Sequence, residues 1–260
     1  TSLLLTWKLF LNGRVLQRAR RGLGNRPLPA LMHDFLRGAC IIVRSQRTFA
    51  LGRGRNMAVK IGLVGTGTVG GGCIDIIQKH KDDFLRHFGV DIELARVCSL
   101  SPAEAEAHGV GHLFTDNFNN IINDPEIDIV VELIGGTTIA RTVVLNALAA
   151  GKNVVTANKA LMATHGKEVM EAAEAAGKEL AFEASVGGGI PIIDPLKHSL
   201  IANEITSVMG IVNGTTNYML TRMADNGLSY EDALHEAQQK GFAEADPTAD
   251  VGGFDAAAKI

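Results

Sequence analysis

The chain has 260 residues, 46% hydrophobic and 20% charged, which suits one to two domains of about 150 residues with an ordinary core. No apolar run reaches the roughly 18 residues of a membrane-spanning helix, and three dispersed cysteines (Cys40, Cys73, Cys98) exclude a disulfide scaffold and a cysteine-based zinc site. The net charge of −3 conceals a division: residues 1–56 carry Lys8 and ten arginines against Asp34, a net of +10, leaving a net of −13 on residues 57–260.

A shift this abrupt marks a boundary at Met57. The basic extension 1–56 has three readings: an organelle transit peptide, an arginine-rich arm for nucleic acid, or a stretch outside the mature protein with Met57 as its start. Glycine and proline interrupt every candidate helix in "RVLQRARRGLGNRPLPA", so no core is expected there. The cysteine usage fits a reducing compartment, and a cytoplasmic location is expected, with organelle targeting the alternative. Neither a membrane nor a nucleic acid is an expected partner.

From Met57 onward the elements alternate. "MAVKIGLVG" (57–65) is a short apolar run ending in glycine, the pattern of a buried parallel strand. A helical stretch reaches about Phe88, and "VDIELARVCS" (90–99) predicts a second strand. Further strands are expected at 128–136, 152–158 and 179–185, with alanine-rich helices over 139–150 and 164–177, the latter closed by Gly177. Strands alternating with helices predict a Rossmann-type, doubly wound α/β sheet over 57–189. Beyond it the rhythm changes. "EITSVMGIVNG" (204–214) predicts a strand, 215–227 a helix ending at Gly227, and Ser229 with Asp232 a capping box opening a helix over 230–240. Residues 190–260 thus read as the start of a second, α+β domain for substrate and catalysis.

The turn Gly65-Thr66-Gly67-Thr68-Val69-Gly70 matches G-x-G-x-x-G between a strand and a helix. The first glycine permits the tight turn, the second lets backbone approach a pyrophosphate, and the third lets helix pack on strand, with phosphate held by the helix N-terminus. A ribose-binding acid is expected at the end of the second strand, yet Val97, Cys98 and Ser99 stand there, and no acid follows until Glu104. An uncharged position suits a 2′-phosphate, although no arginine waits to clamp one; NADP is expected, with NAD acceptable. Thr137, after the third strand, is placed near the cofactor by analogy with other folds of this type.

Several residues have two readings. Lys159 lies at the carboxyl edge of the sheet, as a ligand contact or a solvated lysine. Glu183, in an apolar strand, needs a partner, being either hydrogen-bonded in the core or a ligand. Glu244, Asp246, Asp250 and Asp255 fail a calcium-loop pattern, because Pro247 and Thr248 interrupt them. Asp255 and Lys259 have the spacing of an ordinary helical ion pair. The histidines show no ligand spacing.

The segments "VVTANK" (154–159), "FEASVGGGIP" (182–191), "NGTTNY" (213–218) and "GFAEADPTADVGGFDAAAK" (241–259) together resemble the homoserine dehydrogenases, and the likeness covers nearly all of 57–260. That family interconverts L-homoserine and L-aspartate 4-semialdehyde with a nicotinamide cofactor, on the route to threonine, methionine and isoleucine. The resemblance implies Lys259 as catalytic lysine with Asp255 as its partner, Glu244 and Asp250 toward substrate, and Lys159 toward both cofactor and substrate. The glycine turn itself is expected to contact the cofactor at Gly65, Gly67, Thr68, Val69 and Gly70. The resemblance further implies a monovalent cation, sodium, held by the Glu183 side chain and the carbonyls of Val186, Gly188 and Ile190, and a homodimer or larger assembly. The likeness stops at Ile260, whereas the family's substrate domain continues. The chain therefore reads as a fragment or incomplete member, weakly active or inactive. Its rivals are another amino-acid dehydrogenase with a similar nucleotide domain and a catalytically dead cofactor-binding module.

Overall fold

The computed structural model describes residues 58–260, and every reading of the extension 1–56 lies outside the described residues. The described chain divides into two compact units, Ala202–Asp255 and the remainder, 58–201 with Ala256–Ile260. Among the described residues no helix is long and apolar enough to cross a membrane.

The larger unit is a six-stranded sheet in the order β3-β2-β1-β4-β5-β6. Its strands are β1 (Val59–Val64), β2 (Ile92–Cys98), β3 (Phe114–Thr115), β4 (Ile129–Glu132), β5 (Asn153–Thr156) and β6 (Leu180–Ala181). Every neighbouring pair is parallel. This is the Rossmann-type order, which reverses between β1 and β4 and so opens a crevice beyond their carboxyl ends. Helices α1 (Thr68–Lys79), α2 (Lys81–Phe88), α3 (Pro102–Ala107), α4 (Asn119–Ile122), α5 (Thr138–Ala149) and α6 (Lys159–Ala176) connect the strands.

Side chains alternate across the strands, which gives the sheet two apolar faces. Ile61, Leu63, Ile129 and Val131 pack with Cys73, Ile74 and Ile77 of α1. Val64, Val130 and Val154 pack on the other face with Val143, Val144 and Leu148 of α5 and Leu161 of α6. A strand buried on both faces carries no polar alternation, which is why its sequence reads as an unbroken apolar run.

The expected α/β class is thus observed, with local differences. The strand expected over 128–136 ends at Glu132, and the helix expected over 164–177 begins at Lys159. The helix expected to run to Phe88 breaks at His80, whose backbone leaves helical geometry and whose ring bonds Asp83 at 2.9 Å. The strand expected over 179–185 ends at Ala181, and Glu183–Ser185 form a 3-10 turn. The strand expected over 204–214 is not formed. A strand is stabilised by its ladder, and among the described residues no segment pairs with this one.

The unit Ala202–Asp255 is built on α7 (Gly214–Asn226) and α8 (Tyr230–Gln239), followed by the short α9 (Thr248–Val251). Met219, Ala233, Ala237 and Ala243 form its small core. The capping box is present: the Ser229 hydroxyl accepts the Asp232 amide at 3.1 Å. A terminal helix α10 (Phe254–Lys259) follows.

Candidate functional site

The glycine-rich turn joins β1 to α1 at the mouth of the crevice. Gly65 has φ +103°, and its amide donates to the Cys98 carbonyl at 2.9 Å, tying the turn to β2. A Cβ at Gly70 would lie 1.8 Å from the Gly65 carbonyl oxygen, so helix and turn are in contact at a distance only glycine permits. A Cβ on Gly67 would meet nothing within 4 Å, which leaves open space over the middle of the turn. No side chain caps α1, and its first turn contains no acid. The amides of Thr68, Val69 and Gly70 therefore present an uncompensated positive end.

Glu104, from the first turn of α3, folds back toward this turn. Its Oε2 accepts the Thr66 hydroxyl and, at 2.9 Å, the Ser99 hydroxyl. These two bonds, Thr66 first, hold the Glu104 carboxyl below the usual carboxylate range.

Across the crevice a buried network fixes the ends of β4 and β5. Glu132, fully buried, accepts the Ile134 amide at 2.8 Å and the Thr156 hydroxyl at 2.6 Å. Thr156 in turn accepts the Asn158 amide at 3.0 Å. Asn158 caps α6 through the Leu161 amide and reaches back to the Gly136 carbonyl at 2.7 Å. The loop bearing Thr137, the N-cap of α5, and the start of α6 bearing Lys159 are thereby held to one another. A lysine in the first turn opposes the helix dipole, so Lys159 does not serve α6 itself. Sequence reasoning misses Glu132 and Asn158. Their signals are a carboxylate ending an apolar strand and an Asn before a helix.

Glu183 is buried, as its apolar surroundings required, and its carboxylate is occupied by main chain. Oε1 accepts the amides of Ile192 at 2.6 Å and Ile193 at 3.0 Å, and Oε2 that of Asp194 at 2.7 Å. Of about four lone-pair sites on a carboxylate, three are taken. Its partner is thus the returning chain, which closes the turn that carries Val186, Gly188 and Ile190. Among the described residues no group of three or more His, Cys, Asp or Glu side chains could hold a metal ion.

In the smaller unit, Asn213 gathers the acids. Its Oδ1 caps α7 through the Thr216 amide at 2.8 Å, and its Nδ2 donates to Asp250 and to Asp255, each at 2.8 Å. Asp250 and Asp255 are thus brought together by a residue whose only mark in the sequence is its place in NGTTNY. Asp246 is engaged locally, accepting the Thr248 amide at 3.1 Å at the start of α9. Glu244 is exposed, and among the described residues its carboxylate accepts no hydrogen bond. Asp255 and Lys259 lie four residues apart on α10.

Two family profiles match the chain: "Homoserine dehydrogenase, NAD binding domain" over residues 65–183, and "Homoserine dehydrogenase" over residues 191–260. A homoserine dehydrogenase of Pseudomonas aeruginosa is 46% identical over 202 residues, covering 78% of this chain and 46% of its own. A crystal structure of a homoserine dehydrogenase from Thiobacillus denitrificans superposes with a TM-score of 0.72 at 47% identity, covering 78% of this chain and 47% of that one. A hyperthermophilic archaeal homoserine dehydrogenase in complex with NADPH gives 0.65 at 28% identity, covering 78% and 67%. The chain spans about half the length of the curated relatives it matches.

Proposed function

Because this chain belongs to the homoserine dehydrogenase family, we propose that it carries the NAD(P)-dependent interconversion of L-homoserine and L-aspartate 4-semialdehyde, a step toward threonine, methionine and isoleucine. The observation that carries this reading is the uncapped N-terminus of α1 beneath a glycine turn with open space at Gly67, placed at the switch point of the sheet. Residues 57–189 are assigned to the nucleotide and 190–260 to the substrate and catalysis; the matches over 65–183 and 191–260 support that division.

The residues fit a dinucleotide. Its pyrophosphate would lie on the amides of Thr68, Val69 and Gly70, with Gly65 and Gly67 clearing the approach and Thr137 and Lys159 on the nicotinamide side. A nicotinamide bound there would supply or accept the hydride. Alkoxide charge builds on the carbonyl oxygen during that transfer, and the Lys259 ammonium stabilises it and donates the proton. Asp255 orients Lys259, while Asn213 fixes Asp255. Glu244 and Asp250 balance the substrate's α-ammonium group, and Lys159 its carboxylate. A sodium ion would be held by the carbonyls of Val186, Gly188 and Ile190. The Glu183 side chain fits as a ligand only through its one remaining lone-pair site, and its main work is closing that turn. Assembly as a homodimer or larger, in the cytoplasm, completes the proposal; the two buried free thiols, Cys73 and Cys98, suit a reducing compartment.

The test is homoserine-dependent reduction of the nicotinamide cofactor by the chain and by Lys259→Ala. Loss of the lysine lowers kcat by about 10²–10⁴-fold and leaves cofactor affinity unchanged. Equal damage to both would remove Lys259 from the catalytic role.

A further inference from the structure

The ribose side of the dinucleotide site contains a carboxylate that the sequence pattern places elsewhere. In folds of this order an acid ending β2 accepts the adenosine ribose hydroxyls, whereas a 2′-phosphate is accommodated by a nearby arginine. Here β2 ends at Cys98, followed by Ser99, and neither 65–72 nor 99–107 contains a lysine or arginine. Arg96 points away, toward Asp124 at 3.4 Å, and His108 is engaged with Asp75 at 2.8 Å.

Glu104 fills the gap from five residues downstream. Its Oε2 joins Thr66, inside the glycine turn, to Ser99, at the end of β2. These are the two pieces of chain that flank the adenosine ribose in this fold. Ser99 is itself fixed, because its hydroxyl oxygen accepts the Ser101 amide at 3.1 Å. Among the described residues nothing donates to Glu104 Oε1, so one carboxylate oxygen is held in place and the other is open.

We infer that Glu104 is the ribose-recognising acid of this chain and makes its nucleotide site favour NAD over NADP. The inference rests on the dinucleotide reading above and deepens it. The open oxygen accepts a ribose 2′-hydroxyl. A 2′-phosphate in the same place would set two anions together with no cation between them, and such like-charge contacts are strongly disfavoured. The carboxylate is ionised throughout the neutral range, because Thr66 and Ser99 bond its charged form.

The experiment is calorimetric titration of the chain with NADH and with NADPH, at fixed salt, without substrate. The expected result is NADH binding at least about 10-fold tighter, about 1.4 kcal/mol. In Glu104→Gln the ratio falls toward one, chiefly through tighter NADPH binding, and Glu104→Lys reverses the order. NADPH binding as tightly as NADH to the unaltered chain overturns the inference, as does an unchanged ratio in a Glu104→Gln protein whose circular dichroism matches the parent. Binding of neither nucleotide overturns the dinucleotide reading itself, and this inference with it. The unaltered chain decides alone should neither variant fold.

Discussion

The glycine turn allows structure and function to be separated by two single methyl groups. At Gly70 an added Cβ would stand 1.8 Å from the Gly65 carbonyl oxygen, more than an ångström inside the closest approach real Cβ atoms make. The obstacle is backbone, and Gly65 is itself constrained at φ +103° with Leu133 against it, so the turn cannot yield cheaply. Overpacking of this kind costs about 1–3 kcal/mol. At about 2–4 °C per kcal/mol for a unit of this size, Gly70→Ala is expected to lower Tm by roughly 2–12 °C. Gly67 differs. Its φ is −58°, and its Cβ would meet nothing within 4 Å, so Gly67→Ala should melt within about 0.5 kcal/mol of the parent. The methyl group would nevertheless occupy the space through which a pyrophosphate approaches, and dinucleotide affinity should fall at least about tenfold. Thermal melts followed by calorimetry with NADH check both variants. Full affinity in Gly67→Ala would show that no pyrophosphate lies over the turn, and an unchanged Tm in Gly70→Ala would refute the close contact.

Three further outcomes are expected. Glu132→Ala leaves the Ile134 amide and Thr156 hydroxyl without their buried acceptor and should cost about 1–3 kcal/mol, read as a lower urea midpoint; an unchanged midpoint would dismiss the network as a support of the crevice. Asn213→Ala removes the α7 cap, worth about 1 kcal/mol, together with the donor shared by Asp250 and Asp255. It should lower kcat with homoserine while NADH affinity holds, and a fall in NADH affinity would count against it. Glu236 is held at about 2 by Lys240, then Arg222 and Tyr218, against an ordinary 4.5. A depressed carboxyl stabilises the fold above pH 4.5 and loses that contribution as pH falls through about 2. The Glu236 carboxyl resonance should therefore titrate near pH 2; titration near 4.5 would show that the Lys240–Glu236 and Arg222–Glu236 ion pairs are not formed.

The sheet was legible because burial on both faces writes itself into the sequence as short Val- and Ile-rich runs. The chain-order alternation with helices then fixes parallel pairing. β3 left no such mark: Phe114 and Thr115 are two residues long and are held by pairing with Val97 and Cys98. The segment 204–214 shows the converse, an apolar β-branched pattern without a ladder. Pattern reports what a segment could bury, whereas a strand exists only where a neighbour accepts its hydrogen bonds. The site was legible where glycine geometry imposes it, at Gly65 and Gly70. It was hidden where a side chain acts across sequence, as Glu104 does on Thr66 over 38 positions and Asn213 on Asp255 over 42. Such pairings are made by the fold, and local spacing carries no trace of them.

The distribution of helix caps gives the crevice its sign. Three of the six longer described helices begin with a side chain that accepts an amide: α6 at Asn158, α7 at Asn213 and α8 at Ser229. A fourth, α2, has no cap but carries Asp82 and Asp83 in its first turn. Only α1 and α5 start with neither a capping side chain nor an acid. These two helices follow β1 and β4, the strands between which the sheet order reverses. Selection for stability alone would have capped them, since a cap is worth about 1 kcal/mol at any helix start. Two uncompensated positive ends on either side of one crevice instead leave amide donors for an anion brought from outside. A dinucleotide lying across the switch point would supply its pyrophosphate there. Glu104, whose Oε1 accepts no hydrogen bond among the described residues, stands where a neutral ribose would arrive and a second phosphate would not be tolerated.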